Sequence, residues 1–385
     1  MTTGRGIGVI GISIHPNITG LRRSLEENLF DVTQEALADA KLETESIDGI
    51  VVAANDQYDG RAIAVMAASG SVGGVDRDIL STPSAGEHAF VLGALRVATG
   101  QFRTQLVAAW SPTEASPIRE VQRLAADPYF HRALPLDEHS ASGLQASVLA
   151  SGVPGVNDAA WDVVQKNRRH GASAFPGAVA PFGTGRGKPL RWPLRDDMVA
   201  LPTAGVVALV LASDDYIAEH GLKAIAWIEG MGWATEPSFL GDRNLAHVPA
   251  LDAAVKQAYG EANIDAPLTT FDVAEVSDST PYEELLAWEA LGFSPRKSWA
   301  QHAREGTFAA GGKVPINLSG GALTYNPLYC TGLIRIAEVA NQIRGRAGLH
   351  QLANAKRGVA HAASGFAMQY NTVVVFGRDG TGTRT

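Results

Sequence analysis

The residues best suited to chemistry in this sequence lie in one loop between an apolar segment and a long helix. Residues 314–318 form the apolar segment, and Gly320 and Gly321 follow it. Two adjacent glycines permit backbone conformations that a Cβ forbids, and they let a ligand approach closely. After Pro327 a helix is expected, whose free N–H groups and positive dipole end favour a negatively charged oxygen.

Three polar side chains in this loop are candidate catalytic groups. Asn326 carries an amide that can donate a hydrogen bond to a carbonyl oxygen or an oxyanion. The phenols of Tyr325 and Tyr329 flank it and can act as acid or base where their pKa is perturbed. The alternative is that both tyrosines only pack the loop.

A second polar pair lies near the start of an earlier helix. Ser84 precedes His88 by four residues, so one helical turn can bring the hydroxyl and the imidazole together. A serine hydroxyl needs an adjacent base before it can attack a carbonyl. The simpler interpretation is that Ser84 caps the helix and His88 lies on the helix surface.

Composition is typical of a globular protein. The chain has 385 residues, 45% hydrophobic and 19% charged, with a net charge of −8, which argues against binding to nucleic acid or anionic membranes. No membrane-spanning run and no signal peptide are predicted, so we expect a cytoplasmic protein. The single cysteine, Cys330, excludes an internal disulfide, and the histidines lack metal-ligand spacing, so no metal site is predicted.

Strands and helices alternate along most of the chain, which predicts an α/β fold with mainly parallel sheets. The first half, residues 1–215, contains an excursion at residues 113–195 that we interpret as an inserted loop domain. The second half, residues 216–385, repeats the order of strands and helices. This repetition suggests an internal duplication.

Three segments resemble the thiolase family, in particular its sterol-carrier-protein-X and lipid-transfer type. Asn317, Gly320 and Gly321 match an N-x-x-G-G motif, residues 163–170 resemble a V-x-K-N-R-x-H segment, and residues 272–293 resemble a segment with an H-D-x-F motif. The resemblance is collinear over almost the whole chain. It implies duplicated βαβαβαββ halves, two five-stranded sheets in a five-layered α-β-α-β-α architecture, and a homodimer or larger assembly.

The sequence departs from the family at the positions that carry its chemistry. Pro83 stands where thiolases have the nucleophilic cysteine, and Ser277 and Asn326 stand where they have histidines, whereas Asp278 of the H-D-x-F motif is retained. Proline has no nucleophile, so thiolysis by the family's mechanism is not expected. Equivalent loops in duplicated halves should bring Pro83 and Pro327 to one cavity, beside Ser277 and Asn326.

The resemblance also implies a site for a coenzyme A thioester, as substrate or ligand, with no covalently bound cofactor. The candidate contact residues are Gly320, Gly321, Ser364, Gly365, Arg186 and Lys188. The two basic residues belong to the inserted region, which covers the coenzyme A in a thiolase. Solvated loop charges are the alternative for both.

Two main hypotheses about function follow. In the first, the chain binds acyl-CoA without catalysis and supports a second thiolase subunit in lipid, steroid or aromatic acyl-CoA metabolism. In the second, it is a retro-aldol C–C lyase on a β-hydroxyacyl-CoA, similar to the steroid side-chain aldolases, thiolase-like proteins that use tyrosines and a zinc-ribbon/OB-fold partner. A third option is an acyltransferase with Thr82, Ser84 or Cys330 as a substitute nucleophile.

Overall fold

The structure is a computed structural model that describes residues 6–16, 23–60, 62–111, 118–176 and 186–380. Its first-half elements are β1 (Ile7–His15), α1 (Leu25–Ala40), β2 (Gly49–Ala53), α2 (Asp56–Asp59), α3 (Ala64–Ser69), β3 (Asp78–Thr82), α4 (Gly86–Ala98), β4 (Thr104–Ser111), α5 (Ile118–Ala125), α6 (Glu138–Gly152), α7 (Val156–Ala174), β5 (Pro189–Arg191), β6 (Leu194–Arg195), β7 (Gly205–Ser213) and α8 (Asp214–Glu219). Its second-half elements are β8 (Ala226–Thr235), α9 (Pro249–Ala262), α10 (Pro267–Thr270), β9 (Val273–Glu275), α11 (Pro281–Ala290), α12 (Trp299–Glu305), α13 (Thr331–Arg344), β10 (Arg357–Ser364) and β11 (Tyr370–Gly377).

The strands of the two halves assemble in the same spatial order. In the first half the order across the sheet is β3-β2-β4-β7-β1, that is, the third, second, fourth, fifth and first sheet strands of that half. In the second half the order is β9-β10-β11-β8. Ile316 forms a single parallel bridge beside β9 and stands where the first half has its third strand, so the two orders correspond. The predicted α/β class with duplicated halves is therefore confirmed.

The halves join through their first strands. β1 and β8 pair antiparallel at Gly8 with Trp227 and at Val9 with Ala226, so the described strands form one nine-stranded sheet rather than two separate sheets of five. The expectation of mainly parallel pairing is also wrong: β1–β7, β4–β7, β8–β11 and β10–β11 are antiparallel. A short connection joins β10 to β11, and it leaves no room for the crossover that a parallel pair requires.

Helices and strands alternate in layers, with α4 and α13 in the middle. Apolar side chains fill the spaces between α1 and the first-half strands, around α4 and α13, and between the second-half strands and α9 and α11. Almost every residue of α13 is buried, as expected for a helix enclosed by sheet on both sides. No helix in the described ranges is both long and apolar enough to cross a membrane.

Glycines let the starts of the two central helices touch each other. Gly86 donates its backbone N–H to the carbonyl of Tyr329 at 2.7 Å, and a Cβ at Gly86 would lie 2.8 Å from Leu333. A Cβ at Gly332 would overlap the carboxylate of Glu87. Glycine at both positions therefore brings the N-terminal ends of α4 and α13 together, and their loops meet there.

Candidate functional site

The loops before α4 and α13 open onto one cavity of about 680 Å³, a size that suits a small-molecule or cofactor site. Pro83 and Ser84 line it from the first half, and Asn326 and Tyr329 line it from the second. The inserted region adds a third wall, which includes Glu138. The predicted meeting of the two loops is confirmed by this geometry.

Asn326 lies at the cavity wall with its side chain held in place. Its Oδ1 accepts a hydrogen bond from the hydroxyl of Thr331 at 2.8 Å, and its carbonyl accepts from the N–H of Thr203 at 2.9 Å. Because Thr331 engages the amide oxygen, the amide nitrogen is the atom of Asn326 that can donate to a ligand.

Tyr329 lines the cavity together with a tyrosine that the sequence analysis did not select. The ring of Tyr58 meets that of Tyr329 edge to face, with centroids 5.0 Å apart. Burial raises the pKa of both phenols. At Tyr329 the neighbouring Tyr58 and Glu87 raise the pKa further, and at Tyr58 the neighbouring Glu138 does so. Both therefore remain protonated at neutral pH and can donate hydrogen bonds.

Ser84 and His88 form the predicted pair. The distance between Ser84 Oγ and His88 Nδ1 is 2.6 Å, and the helix cap is Ala85, without a side-chain capping bond. The alternative in which Ser84 caps α4 is therefore wrong. Oε1 of Glu87 lies 3.6 Å from the same Nδ1, so it does not orient the ring through the other nitrogen as the acid of a serine-hydrolase triad does.

Tyr325 and Cys330 are core residues, and neither is among the described residues that line the cavity. The Tyr325 hydroxyl donates to the carbonyl of Ala204 at 3.2 Å, and its ring packs 4.7 Å from that of Phe175. The thiol of Cys330 lies 3.4 Å from the carbonyl of Gly205, and burial raises its pKa well above the ordinary value. Both side chains face the apolar middle layer, so their placement does not support a catalytic Tyr325 or the option of Cys330 as a substitute nucleophile.

Gly320 and Gly321 serve the protein's own packing. Their φ angles are +89° and +67°, in the region that favours glycine. A Cβ at Gly320 would overlap the backbone of Gly171, and one at Gly321 would overlap the carboxylate of Asp278. Neither glycine is among the described residues that line the cavity, so the predicted contact with coenzyme A gains no support there and stays a prediction.

Asp278 is a buried structural carboxylate. It accepts hydrogen bonds from the backbone N–H groups of Ala322, at 2.5 Å, and Leu323, at 3.3 Å, and from the amide of Asn167 at 2.7 Å. Burial and the neighbouring Glu284 raise its pKa to about 7. Asp278 fixes the loop after the glycines and is not among the described residues that line the cavity, so its position gives no support to a place at the reacting centre.

Two buried ion pairs extend this network beneath the loop. Arg335 pairs with Glu275 at 2.6 Å, and Lys166 pairs with Glu284 at 2.9 Å. The hydroxyl of Ser319 donates to Glu275 at 2.6 Å. All of these residues except Arg335 come from the segments that carry the family resemblance, so much of that resemblance reflects how the loop is supported.

Ser277 links two chain segments behind the cavity. Its Oγ accepts from the N–H of Ala363 at 2.7 Å and donates to the carbonyl of the same residue at 3.3 Å. Ser277 is not among the described lining residues, whereas Ser364 and Gly365, which follow Ala363 in the chain, are. The predicted place of Ser277 beside the reacting atoms is therefore not observed. Through Ala363, Ser277 instead positions the segment that lines the cavity.

The two basic candidates for coenzyme A contacts lie outside the cavity wall. Arg186 is exposed and pairs with Asp158 at 3.1 Å, with its guanidinium over the ring of Trp161. Lys188 is exposed, and its backbone N–H donates to Asp196 at 2.8 Å. The interpretation as solvated loop charges fits both side chains.

The sequence analysis missed the three acidic residues that line the described cavity, Asp127, Glu138 and Glu283. Glu283 lies in the first turn of α11 and is 4% exposed. Burial, Glu138 and Asp278 together raise its pKa to about 8. Two adjacent glutamates shortly after a proline, Glu283 and Glu284, could have marked a candidate site in the sequence. Only the fold shows that Glu283 faces the cavity and that Glu284 belongs to the ion-pair network.

Comparison with known proteins identifies related sequences. Residues 234–378 match the family model "Thiolase C-terminal domain-like". Sterol carrier protein 2 from Homo sapiens is 32% identical over 167 residues, which is 42% of this chain and 30% of that protein. Benzoylsuccinyl-CoA thiolase subunit BbsB from Thauera aromatica is 24% identical over 216 residues, or 54% and 56% of the two chains. The chain thus spans less than a third of the length of sterol carrier protein 2.

Solved structures share the fold over nearly the whole chain. The "Ltp2-ChsH2(DUF35) aldolase" superimposes with a TM-score of 0.78 at 18% identity and covers 97% of both chains. Human mitochondrial 3-ketoacyl-CoA thiolase in complex with CoA gives a TM-score of 0.72 at 16% identity and covers 98% and 99%. At these identities the likeness establishes the fold.

Proposed function

We propose that this chain, a member of the thiolase superfamily of the sterol-carrier-protein type, binds an acyl-CoA thioester in the cavity and forms no covalent acyl-enzyme. The observation that carries the proposal is the meeting of the α4 and α13 starts at one cavity, whose wall includes Pro83, the residue that the sequence resemblance aligns with the nucleophile of thiolases. Cys330 is buried and is not among the described lining residues, so no described thiol faces the cavity. Thiolase relatives whose names include CoA support the choice of ligand.

Three features of the cavity support the proposal that it receives a thioester oxygen. Two helix N-termini direct partial positive charge towards the same space, and the amide nitrogen of Asn326 adds a hydrogen-bond donor at the wall. Binding energy from such donors does not depend on a nucleophile. The site can therefore hold an acyl-CoA even though it cannot perform thiolysis by the family's route.

Calorimetric titration combined with intact-protein mass spectrometry tests the proposal. Wild-type protein titrated with butyryl-CoA should bind it, with no added acyl mass after prolonged incubation with acetyl-CoA. Asn326→Ala should weaken binding about three- to tenfold through the lost hydrogen bond. The control is Asn341→Ala, because Asn341 lies near the C-terminal end of α13 and lines a different groove. No binding by the wild type, or an acyl adduct on Ser84, would overturn the proposal.

A second candidate function, the retro-aldol lyase, is favoured by Tyr329. In that reaction the β-hydroxyl loses its proton to a base, the Cα–Cβ bond breaks, and its electron pair forms the thioester enolate. Protonation of the enolate at Cα then gives the shorter acyl-CoA and a carbonyl product. A phenol that stays protonated, beside the Asn326 amide, is suited to stabilise or protonate the enolate. The structural neighbour named as an aldolase motivates the same candidate.

Product analysis separates the two candidates. Incubation with a β-hydroxyacyl-CoA should yield a carbonyl compound and a shorter acyl-CoA if the chain is a lyase. Intact substrate alongside measurable binding would exclude the lyase and retain the binding function. The zinc-ribbon/OB-fold partner, the second thiolase subunit, the homodimer and the cytoplasmic location stay predictions, as do the boundaries at residues 113, 195 and 215.

A further inference from the structure

We infer that Ser84 and His88 form the proton-accepting site of the cavity, so that Ser84 Oγ takes the proton of a ligand's β-hydroxyl while its own proton passes to His88 Nδ1. The inference rests on the second candidate of the proposed function, the retro-aldol lyase, whose reaction needs a base. It gives Ser84 a role that forms no covalent bond with the acyl group.

Ser84 has the position that this role requires. It lines the cavity, whereas His88, one helical turn later, is not among the described lining residues. The distance of 2.6 Å between Ser84 Oγ and His88 Nδ1 is that of a direct hydrogen bond. The loop of Ser84 also contacts the loop of Asn326, because Gly86 donates its N–H to the carbonyl of Tyr329. The β-hydroxyl of a thioester held at Asn326 therefore has Ser84 on the facing loop.

A buried carboxylate lies where it stabilises a protonated His88. Glu87 is 1% exposed, and its Oε1 has no hydrogen-bond partner in the described part of the chain. The same Oε1 lies 3.6 Å from His88 Nδ1. Tyr370 on β11 is the other titratable group recorded beside the imidazole, with the two rings edge to face. A proton on Nδ1 places a positive charge next to Glu87, which favours the state that exists only after proton transfer.

Other proton acceptors on the described wall are held by hydrogen bonds or already carry a proton. Nε2 of His131 lies 3.4 Å from a backbone N–H that donates to it, and Asp127 Oδ1 accepts two backbone N–H groups at 2.9 and 2.8 Å. The pKa of Glu283 is raised to about 8, so most molecules carry a protonated Glu283 at pH 7. Glu138 accepts from the amide of Gln122 and is the rival base that the test includes.

Each proton and electron pair of the reaction has a destination. The β-hydroxyl gives its proton to Ser84 Oγ as the Ser84 proton moves to His88 Nδ1. The electron pair of the O–H bond forms the new carbonyl, the Cα–Cβ bond breaks, and its pair forms the thioester enolate beside Asn326. Tyr329 gives a proton to Cα and regains one from water. His88, whose side chain is 19% exposed, returns its extra proton to water.

The test follows the release of acetaldehyde and acetyl-CoA from 3-hydroxybutyryl-CoA. Ser84→Ala and His88→Gln should each lower kcat/KM roughly a hundredfold, and the double variant should lose no more, because the two groups act as one unit. Affinity for butyryl-CoA in calorimetric titration should change by less than about twofold. The acid limb in the pH profile of kcat/KM should disappear in His88→Gln, a change that altered packing alone does not produce.

The chain offers a matched control pair. Ser294 Oγ lies 2.8 Å from His302 Nδ1, which is the same arrangement of atoms, and neither residue is among those that line the described cavity. Ser294→Ala and His302→Gln therefore remove the same kind of hydrogen bond away from the ligand. Both control variants should leave kcat/KM and its pH profile unchanged.

The outcomes separate the failure of this inference from the failure of the proposed function. Nearly unchanged kcat/KM in Ser84→Ala or His88→Gln would overturn the inference and leave the lyase intact. Loss of the acid limb in Glu138→Gln, with its retention in His88→Gln, would also overturn it, because Glu138 would then be the base. A loss of butyryl-CoA affinity as large as the loss of kcat/KM would overturn it by marking the pair as binding contacts.

If the wild type releases no product, the lyase candidate fails and the inference fails with it, whereas the butyryl-CoA titration still tests acyl-CoA binding. Ser84→Ala and His88→Gln are measured separately, so that one variant remains as the test if the other does not fold.

Discussion

The two loops at the centre of the molecule occupy equivalent places in their halves but are held in different ways. The first-half loop ends at an exposed Pro83, and Ser84 is held by His88 on the helix that follows. The second-half loop is anchored from beneath by Asp278 and by the buried pair of Arg335 and Glu275. The difference teaches that the segments that resemble thiolases match them most closely where side chains support the fold, and depart from them where side chains face the ligand space.

Removal of the buried Arg335 from the second-half network should have the largest effect on stability. Arg335→Met leaves Glu275 without its counter-charge in a fully buried site, and we expect the free energy of unfolding to fall by about 3–5 kcal/mol. Arg346→Met is the control, because Arg346 is 68% exposed in its pair with Asp39 and should lose about 0–1 kcal/mol. Urea unfolding measures both values. Similar losses in the two variants would contradict the structural role of the second-half network.

Substitution of Gly321, in the loop before α13, should have the next largest effect on stability. Gly321→Ala forces a Cβ into the carboxylate of Asp278 at a positive φ, and strain plus overlap should cost roughly 2–4 kcal/mol. Gly345→Ala has a similar φ of +78° but no atom within 4 Å of the new Cβ, so it should cost only about 1 kcal/mol. Thermal unfolding measures the loss of stability in each variant. Equal losses would contradict the packing role of Gly321 and would fit a glycine that serves as a ligand contact.

Substitution of the two loop tyrosines, Tyr329 and Tyr325, should affect activity in one case and stability in the other. If the chain is a lyase, Tyr329→Phe should lower turnover roughly a hundredfold with little change in stability. Tyr325→Phe removes a hydrogen bond in the core, so it should lose about 1 kcal/mol of stability and keep its activity. Turnover of a β-hydroxyacyl-CoA and urea unfolding, measured on both variants, give the comparison. Loss of activity in Tyr325→Phe alone would contradict the placement of the two side chains.

The acid in the cavity should have a smaller, pH-dependent cost in stability. The pKa of Glu283 is about 8 in the folded protein, above its unfolded value, so the folded state loses stability as pH rises from the unfolded pKa towards 8. Glu283→Gln does not titrate there, and its stability relative to the wild type should therefore increase by about 2 kcal/mol between pH 5 and pH 7. Unfolding curves at the two pH values measure this change. A difference that stays constant or falls would indicate that Glu283 is ionised in the folded state.

The sequence predicted the scaffold well where local signals were complete. The helix at residues 25–40 has a capping box between Ser24 and Glu27 and an apolar stripe along one face, and both signals are readable from the sequence alone. The apolar segment at residues 314–318 has the composition of a strand but does not form one, because Asn317 adopts a positive φ and only Ile316 of the segment forms a bridge. The layered arrangement followed from the family resemblance, which periodicity alone could not supply.

The site was only partly predictable, for a geometric reason. Tyr325 and Tyr329 looked equivalent in sequence, yet the turn between them sends one side chain to the core and the other to the cavity. Tyr58 and Glu138 reach the same cavity from segments far away in sequence that carry no motif. Such residues become visible only when the fold brings their segments together.

A crystal structure with a thioether analogue of an acyl-CoA would test the central claim most directly. The account predicts that the acyl end of the analogue occupies the cavity, with its carbonyl oxygen within hydrogen-bonding distance of the Asn326 amide nitrogen and with no covalent bond to Ser84. An analogue seated elsewhere on the protein, or density continuous with a side chain of the cavity, would contradict it.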